Sequence, residues 1–201
     1  MNELITNIVF SGGGVKGYSY IGVIKALEEQ NILSNIKNIA GTSIGSLFAF
    51  LIILKYTFNE LNELCFNIDL EQINNVSSDN ILNFIYLMGI DDGSKCERIL
   101  KILLKAKTNV TDITFKQLYD FNNINLTINS TRINDRKNII YNHLNTPDFS
   151  VIKAIRMSIS IPFIYTPVLY DNNYYVDGGV TNNFLIDLFK NNIENTLGFL
   201  I

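Results

Sequence analysis

Three short stretches of this chain carry residue types suited to acyl chemistry: Ser11-Gly12-Gly13-Gly14-Val15-Lys16-Gly17, Gly41-Thr42-Ser43-Ile44-Gly45 and Asp177-Gly178-Gly179. The middle stretch has the G-x-S-x-G form of a nucleophile elbow, in which a serine sits on a tight strand-to-helix turn with its hydroxyl exposed. Gly41 and Gly45 are the small residues such a turn needs, because it presses backbone against backbone. Consecutive glycines at 12–14 let backbone N–H groups converge on one oxygen, and losing one such donor lowers a rate by about 10²–10³. Asp177 offers a carboxylate that is ionised at neutral pH near its reference pKa of about 3.9 and so accepts a serine proton. The set points to a serine hydrolase, with Ser43 as nucleophile, Asp177 as base and Gly12, Gly13 and Gly14 as donors to an oxyanion.

Each stretch also has a plainer reading. Ser43 is equally suited to be an ordinary helix N-cap, and an Asp-Gly pair is usually a turn, as expected at Asp92-Gly93. The glycine stretch satisfies G-x-G-x-x-G, but a dinucleotide fold then needs an acidic residue about 20 positions on, at the end of the next strand. That strand ends here in Ala40-Gly41-Thr42-Ser43, and Glu28 and Glu29 fall on the intervening helix. No Gly-Lys pair followed by Ser or Thr is present, so a Walker loop is excluded. A Ser-His-Asp triad would need His143, the one histidine, which lies in Tyr141-Asn142-His143-Leu144-Asn145 without motif context and reads as an ordinary histidine.

The elements that must position these residues are legible as alternating strands and helices. Asn7-Ile8-Val9-Phe10 reads as a short buried strand ending in glycines. Ile21, Ile24, Ala26 and Leu27 keep helical spacing between Tyr20 and Gln30. Ile36–Ala40 is a second strand, followed by the elbow and an apolar helix from Ser46 to about Tyr56. This is the opening of a parallel sheet covered by helices. Thr57-x-x-Glu60, Ser94-x-x-Glu97 and Thr114-x-x-Gln117 have capping-box form. Asn125–Asn129 and Ile139–Tyr141 alternate about the polar Asn134–Lys137 and predict a hairpin. A helix is expected from Phe149 to Met157, a strand at Tyr174–Val176 leading into Asp177, a last helix from Phe184 to Lys190, and a strand at Leu197–Ile201.

Bulk properties limit the partners. With 201 residues, 47% hydrophobic and 17% charged, the chain is expected to form one domain. A net charge of −3 gives no basic footprint for nucleic acid and no long-range pull toward anionic membranes. Phe48–Leu54 is the most hydrophobic run, yet Lys55 closes it well short of the roughly 20 residues that span a bilayer. The N-terminus lacks the basic start and apolar run of a signal peptide, so a cytosolic location with peripheral access to membranes is expected. Cys65 and Cys96 have no metal-type spacing, and no metal or cofactor is expected.

Taken together, the glycine loop, elbow and Asp177-Gly178-Gly179 resemble the patatin-like phospholipases, which combine G-G-G-x-[K/R]-G, G-x-S-x-G and D-G-[G/A]. The resemblance also covers Ser158-Ile159-Ser160-Ile161-Pro162 with Pro167-Val168, and Val176–Asn183, in order from about Asn7 to Lys190. It implies a three-layer α/β/α domain with a mainly parallel sheet, and a Ser43–Asp177 dyad acting on fatty acyl esters at a lipid or membrane surface without a cofactor. It also implies that Lys16 and Gly17 support the oxyanion loop. Phe163 after Pro162, and Phe184-Leu185 after Asn183, depart from the family pattern and are expected to reshape the acyl pocket. The competing expectations are a weakly catalytic lipid- or protein-binding module and an esterase or thioesterase acting on soluble acyl compounds.

Overall fold

The computed structural model describes residues 4–67 and 87–201. Asn7–Phe10 forms strand β1, paired in parallel with β2 (Asn38–Gly41) on one side and β9 (Thr196–Phe199) on the other. Covered on both edges, β1 is buried along its whole length. Its side chains alternate between two cores. Ile8 and Phe10, with Ile39 of β2, enter the larger core, whereas Val9 and Ala40 meet Leu185 in the smaller one.

Helices cover the larger core. Helix α1 (Ser19–Glu29) buries Tyr20, Ile21, Ile24 and Leu27, which is the face its sequence periodicity marks out. Helix α2 (Ile44–Ile53) leaves β2 through the elbow, and the run Phe48–Leu54 is nowhere more than 7% exposed. That run is therefore a core helix, and no helix among the described residues is long and apolar enough to cross a membrane. Helix α3 (Phe58–Asn67) opens on the expected box: the Thr57 N–H donates to Glu60 Oε2 and the Glu60 N–H to Thr57 Oγ1. The same reciprocal pair, Thr114 with Gln117, starts α5 (Phe115–Asn122).

The box expected at Ser94–Glu97 does not form. Helix α4 (Ser94–Thr108) takes Gly93 as its N-cap at φ +68°, and a Cβ there would strike the Arg156 guanidinium. Glu97 turns instead to Lys101, at 2.6 Å. The predicted helix at Phe149–Met157 appears as α6 (Val151–Ser158), with Ser150 accepting the Lys153 N–H as its cap. The last predicted helix is also different. Leu185–Asn195 winds as 3₁₀ turns broken at Phe189 and Asn192, since asparagines compete for backbone hydrogen bonds and favour turns. Its Leu185 closes the smaller core against β1 and β2.

Strand β4 (Asn125–Arg132) decides where the site forms. Its first half pairs in parallel with β2, and β5 (Lys137–Tyr141) pairs antiparallel as the predicted hairpin. Its second half pairs antiparallel with β8 (Asn173–Asp177), which in turn pairs with β7 (Val168–Tyr170). Ile128 is opposite both Gly41 and Tyr141, and Ser130 is opposite both Asp177 and Ile139. Since β5 occupies one edge in both cases, β2 and β8 share the other and meet head to head along it. Strand β3 (Gly89–Asp91) forms a separate short pair with β6 (Phe163–Tyr165). The fold is α/β, with a parallel sheet centre, an antiparallel flank, and a covering layer on each face.

Candidate active site

The elbow is built by close packing. A Cβ on Gly41 would overlap the Gly45 carbonyl, and one on Gly45 would lie 2.6 Å from the carbonyl oxygens of both Phe10 and Ser11. Only glycine lets β1, β2 and the start of α2 approach this closely. Between them Ser43 adopts φ +52° and ψ −126°, a backbone conformation that an L residue keeps only when its surroundings impose it. Its N–H donates to Ser158 Oγ at 2.8 Å, and its carbonyl accepts from the Ser46 N–H (2.8 Å) and the Ser46 hydroxyl (2.6 Å).

Ser43 stands at the N-cap of α2, but its side chain does not cap the helix. The hydroxyl donates instead to Asp177 Oδ2 at 2.5 Å, with Ser43 4% and Asp177 6% exposed. Asp177 is fixed on every side. Its N–H donates to the Ser160 carbonyl (2.9 Å), its own carbonyl accepts from Thr131 Oγ1 (2.9 Å), and Oδ1 accepts the Gly179 N–H (2.7 Å). Burial holds its carboxyl above the ordinary carboxylate range, partly opposed by the bonds from Ser43 and Gly179.

The glycine loop leaves β1 beside this pair. The structure differs from the sequence expectation at Gly12, whose N–H is already given to the Asn183 carbonyl at 3.1 Å while its carbonyl accepts Asn183 Nδ2 at 3.1 Å. Gly12 is thus a fastening point, packed near Ser43 Cβ. The N–H groups of Gly13 and Gly14 have no acceptor among the described residues, and Gly14 has φ +55°. Lys16 takes part through its main chain: its N–H donates to the Gly13 carbonyl (3.1 Å) and its carbonyl accepts from Ser19 Oγ (2.9 Å), while its side chain is exposed. At Gly17 a side chain would collide with Ile44, so the loop packs directly on the start of α2.

Gly12, Gly13, Gly14, Ser43 and Asp177 line one cavity of about 270 Å³, with Ile161, Pro162 and Val180 among its apolar walls. Neither departure from the family pattern reaches it. Phe163 is 66% exposed at φ +69°, and Leu185 is buried in the smaller core with Phe184 against it. Sequence reasoning gave no role to Asn183, or to Asn129, which donates to the Gly178 and Asn182 carbonyls. Both side chains tie distant segments together, and nothing in their immediate sequence marks that.

His143 lies elsewhere. Its Nδ1 bonds Asn125 Oδ1 at 2.7 Å and its ring stacks on Tyr119 at 3.8 Å. Asn125 begins β4 whereas Asp177 pairs at Ser130, a separation of about 16 Å along the strand. The two thiols stay outside the site, and burial pushes that of Cys96 up to about 11.

An uncharacterized protein of Acanthamoeba polyphaga mimivirus is 34% identical over 195 residues, which cover 96% of this chain and 64% of that protein. A protein of Invertebrate iridescent virus 6 named as a probable lipid hydrolase is 28% identical over 189 residues, 90% of this chain and 62% of its own. The chain therefore spans less than two thirds of the length of these relatives. VipD from Legionella pneumophila has the same fold, with a TM-score of 0.72 at 18% identity over 97% of this chain and 49% of its own. The family profile described as patatin-like phospholipase matches residues 8–190, from β1 through the glycine loop and the elbow to beyond Asp177. On that match, the chain belongs to the patatin-like phospholipase family.

Proposed function

We propose that this chain is a lipid acyl hydrolase of phospholipase A or lysophospholipase type, working through a Ser43–Asp177 dyad. The observation that carries the reading is the 2.5 Å hydrogen bond from Ser43 Oγ to Asp177 Oδ2, at the base of a cavity edged by Gly13 and Gly14. Ser43 Oγ attacks the ester carbonyl carbon as its proton passes to Asp177 Oδ2. Raised by burial, that carboxylate is a stronger base than an exposed aspartate. The carbonyl oxygen becomes an oxyanion and accepts the N–H groups of Gly13 and Gly14, aided by the N-terminal end of the α2 dipole. The bond to the leaving alcohol breaks, and that oxygen takes the proton from Asp177. Water then attacks the acyl-Ser43 ester with Asp177 again as base, and the fatty acid departs.

Ile161, Pro162 and Val180 give the acyl chain an apolar wall next to the reacting carbon. A panel of phospholipids, lysophospholipids, galactolipids and triacylglycerols tests the reading, with Ser43→Ala and Asp177→Asn as controls. The expected result is release of fatty acid from at least one class by the wild-type chain and loss of about 10³-fold or more in both variants. Stoichiometric labelling of Ser43 by a fluorophosphonate accompanies it. A chain that is folded yet neither labels nor hydrolyses any of these esters is a binding module, and the proposal fails.

A further inference from the structure

Two residues of one segment, neither taking part in the proton transfer, each bond the main chain of one member of the dyad. Ser158, the last residue of α6, is fully buried, and its Oγ accepts the Ser43 N–H at 2.8 Å. Ser160 is also fully buried, and its carbonyl accepts the Asp177 N–H at 2.9 Å. The segment is pinned from behind by Arg156, itself 5% exposed. Its Nη1 donates to Ser160 Oγ at 2.5 Å, and its Nη2 to the carbonyls of Asp92 (2.8 Å) and Thr166 (3.3 Å). The Ser160 hydroxyl in turn donates to the Arg156 carbonyl at 2.7 Å.

The Ser43 N–H needs such an acceptor. It sits at the N-cap of α2, where no preceding turn of helix offers a carbonyl, and it is too buried for water to serve. The residue also has φ +52°, which its own backbone preference opposes. A rotation that relieved the angle would break the bond to Ser158 and swing Oγ away from Asp177.

We propose that Ser158 is a positioning residue for the nucleophile: by accepting the Ser43 N–H it holds the elbow in the conformation that delivers Ser43 Oγ to Asp177 Oδ2. The Ser158–Ser160 segment is then one gauge against which nucleophile and base are both set. This rests on the reading of Ser43 and Asp177 as nucleophile and base.

The test compares Ser158→Ala and Ser158→Cys, which remove or weaken the acceptor, with Ser158→Thr, which keeps the oxygen. Active sites are counted by fluorophosphonate labelling of Ser43 carried to completion, and kcat and KM are measured on a soluble short-chain ester. Turnover per labelled site should fall about 10- to 100-fold in the Ala and Cys variants, because a displaced nucleophile loses its attack geometry. KM should stay within about twofold, and Ser158→Thr should recover most of the loss. The acid limb of the pH profile should not move, since Ser158 does not touch the carboxylate. A role in folding alone would lower the labelled fraction and leave turnover per labelled site unchanged. That result, or a Ser158→Ala turnover within about twofold of wild type, overturns the proposal. A wild-type chain that neither labels nor turns over overturns the dyad reading instead, and is told apart by the wild-type measurement alone.

Discussion

Gly41 and Asp177 lie against the same edge of strand β4, opposite Ile128 and Ser130 respectively. β2 runs along that edge from one end and β8 from the other, so their ends face each other across Asn129. Two residues beyond Gly41 then suffice to bring the Ser43 hydroxyl to the carboxylate. Asn129 secures the junction, donating to the Gly178 carbonyl at 3.3 Å and the Asn182 carbonyl at 2.9 Å. The contact between Ser43 and Asp177 is thus a product of strand register. A slip of β8 by one residue would send the Asp177 side chain to the other face of the sheet.

The elbow glycines should tolerate no side chain. Gly41→Ala and Gly45→Ala each force a Cβ into backbone carbonyls, which cannot move aside as a side chain can. Each should destabilise the fold by about 3 kcal/mol or more. Gly22→Ala is the control: it lies exposed in α1 with nothing within 4 Å of its Cβ position, and should stabilise by about 0.5–1 kcal/mol. Urea midpoints of the three variants check this, and similar shifts in all three would remove the steric account.

The acid limb of activity should lie high. On the proposed mechanism Asp177 must be ionised to act as base, and burial has raised its pKa, so kcat/KM should begin to fall at a pH above the range of an exposed aspartate. A limb at or below about 3.9 would contradict the burial.

The same shift has a consequence for stability. With its folded-state pKa raised, Asp177 binds a proton more tightly in the native chain than in the unfolded one. Its contribution is therefore fully present below the unfolded pKa and is lost as pH rises through the folded one. Asp177→Asn should abolish activity yet raise the Tm at neutral pH, because it removes a charge that burial disfavours. Below a pH of about 3.9 the gain should vanish. Thermal melts at the two pH values decide it.

His143→Ala should leave kcat/KM within about twofold of wild type, because the imidazole sits at the far end of β4. Its pKa is lowered, first by burial and then by Lys116, so it is also not held as a cation. A collapse of activity in this variant, with the fold intact, would falsify the two-residue mechanism.

Calcium and a chelator should not change the rate on a soluble ester by more than about twofold, since in the proposed mechanism the attacking group is a side-chain hydroxyl and not a metal-bound water. Strong activation of that substrate by calcium would count against the Ser43 acyl-enzyme.

Much of this arrangement is legible before folding. β1 carries an apolar run from Ile8 to Phe10, α1 a helical stripe and α5 a capping box, each a local pattern with a local cause. The box at Ser94 gives way to a start one residue earlier: Gly93 is the N-cap at φ +68°, and Arg156, 63 positions on, packs where a side chain at 93 would stand, a contact no local pattern carries. The last predicted helix fails because Leu185–Asn195 is shaped by the sheet face it covers as much as by its own propensity. The glycine run predicts an oxyanion donor at Gly12, yet the Asn183 carbonyl takes its N–H, and that contact spans 171 residues.

By itself, the sequence determined which residues are able to do the chemistry: a serine between glycines, a glycine run after a strand, and an aspartate at a strand end are local facts of covalent structure and backbone freedom. Tertiary structure alone decided which of them meet. Only the pairing of β4 with β2 and β8 sets the hydroxyl at 43 against the carboxylate at 177. The buried contacts of Ser158, Ser160 and Thr131 then help to hold both backbones still. The physical reason is that hydrogen bonds and close packing between segments far apart in sequence, 134 residues for Ser43 and Asp177, depend on strand register, which no window of neighbouring residues contains.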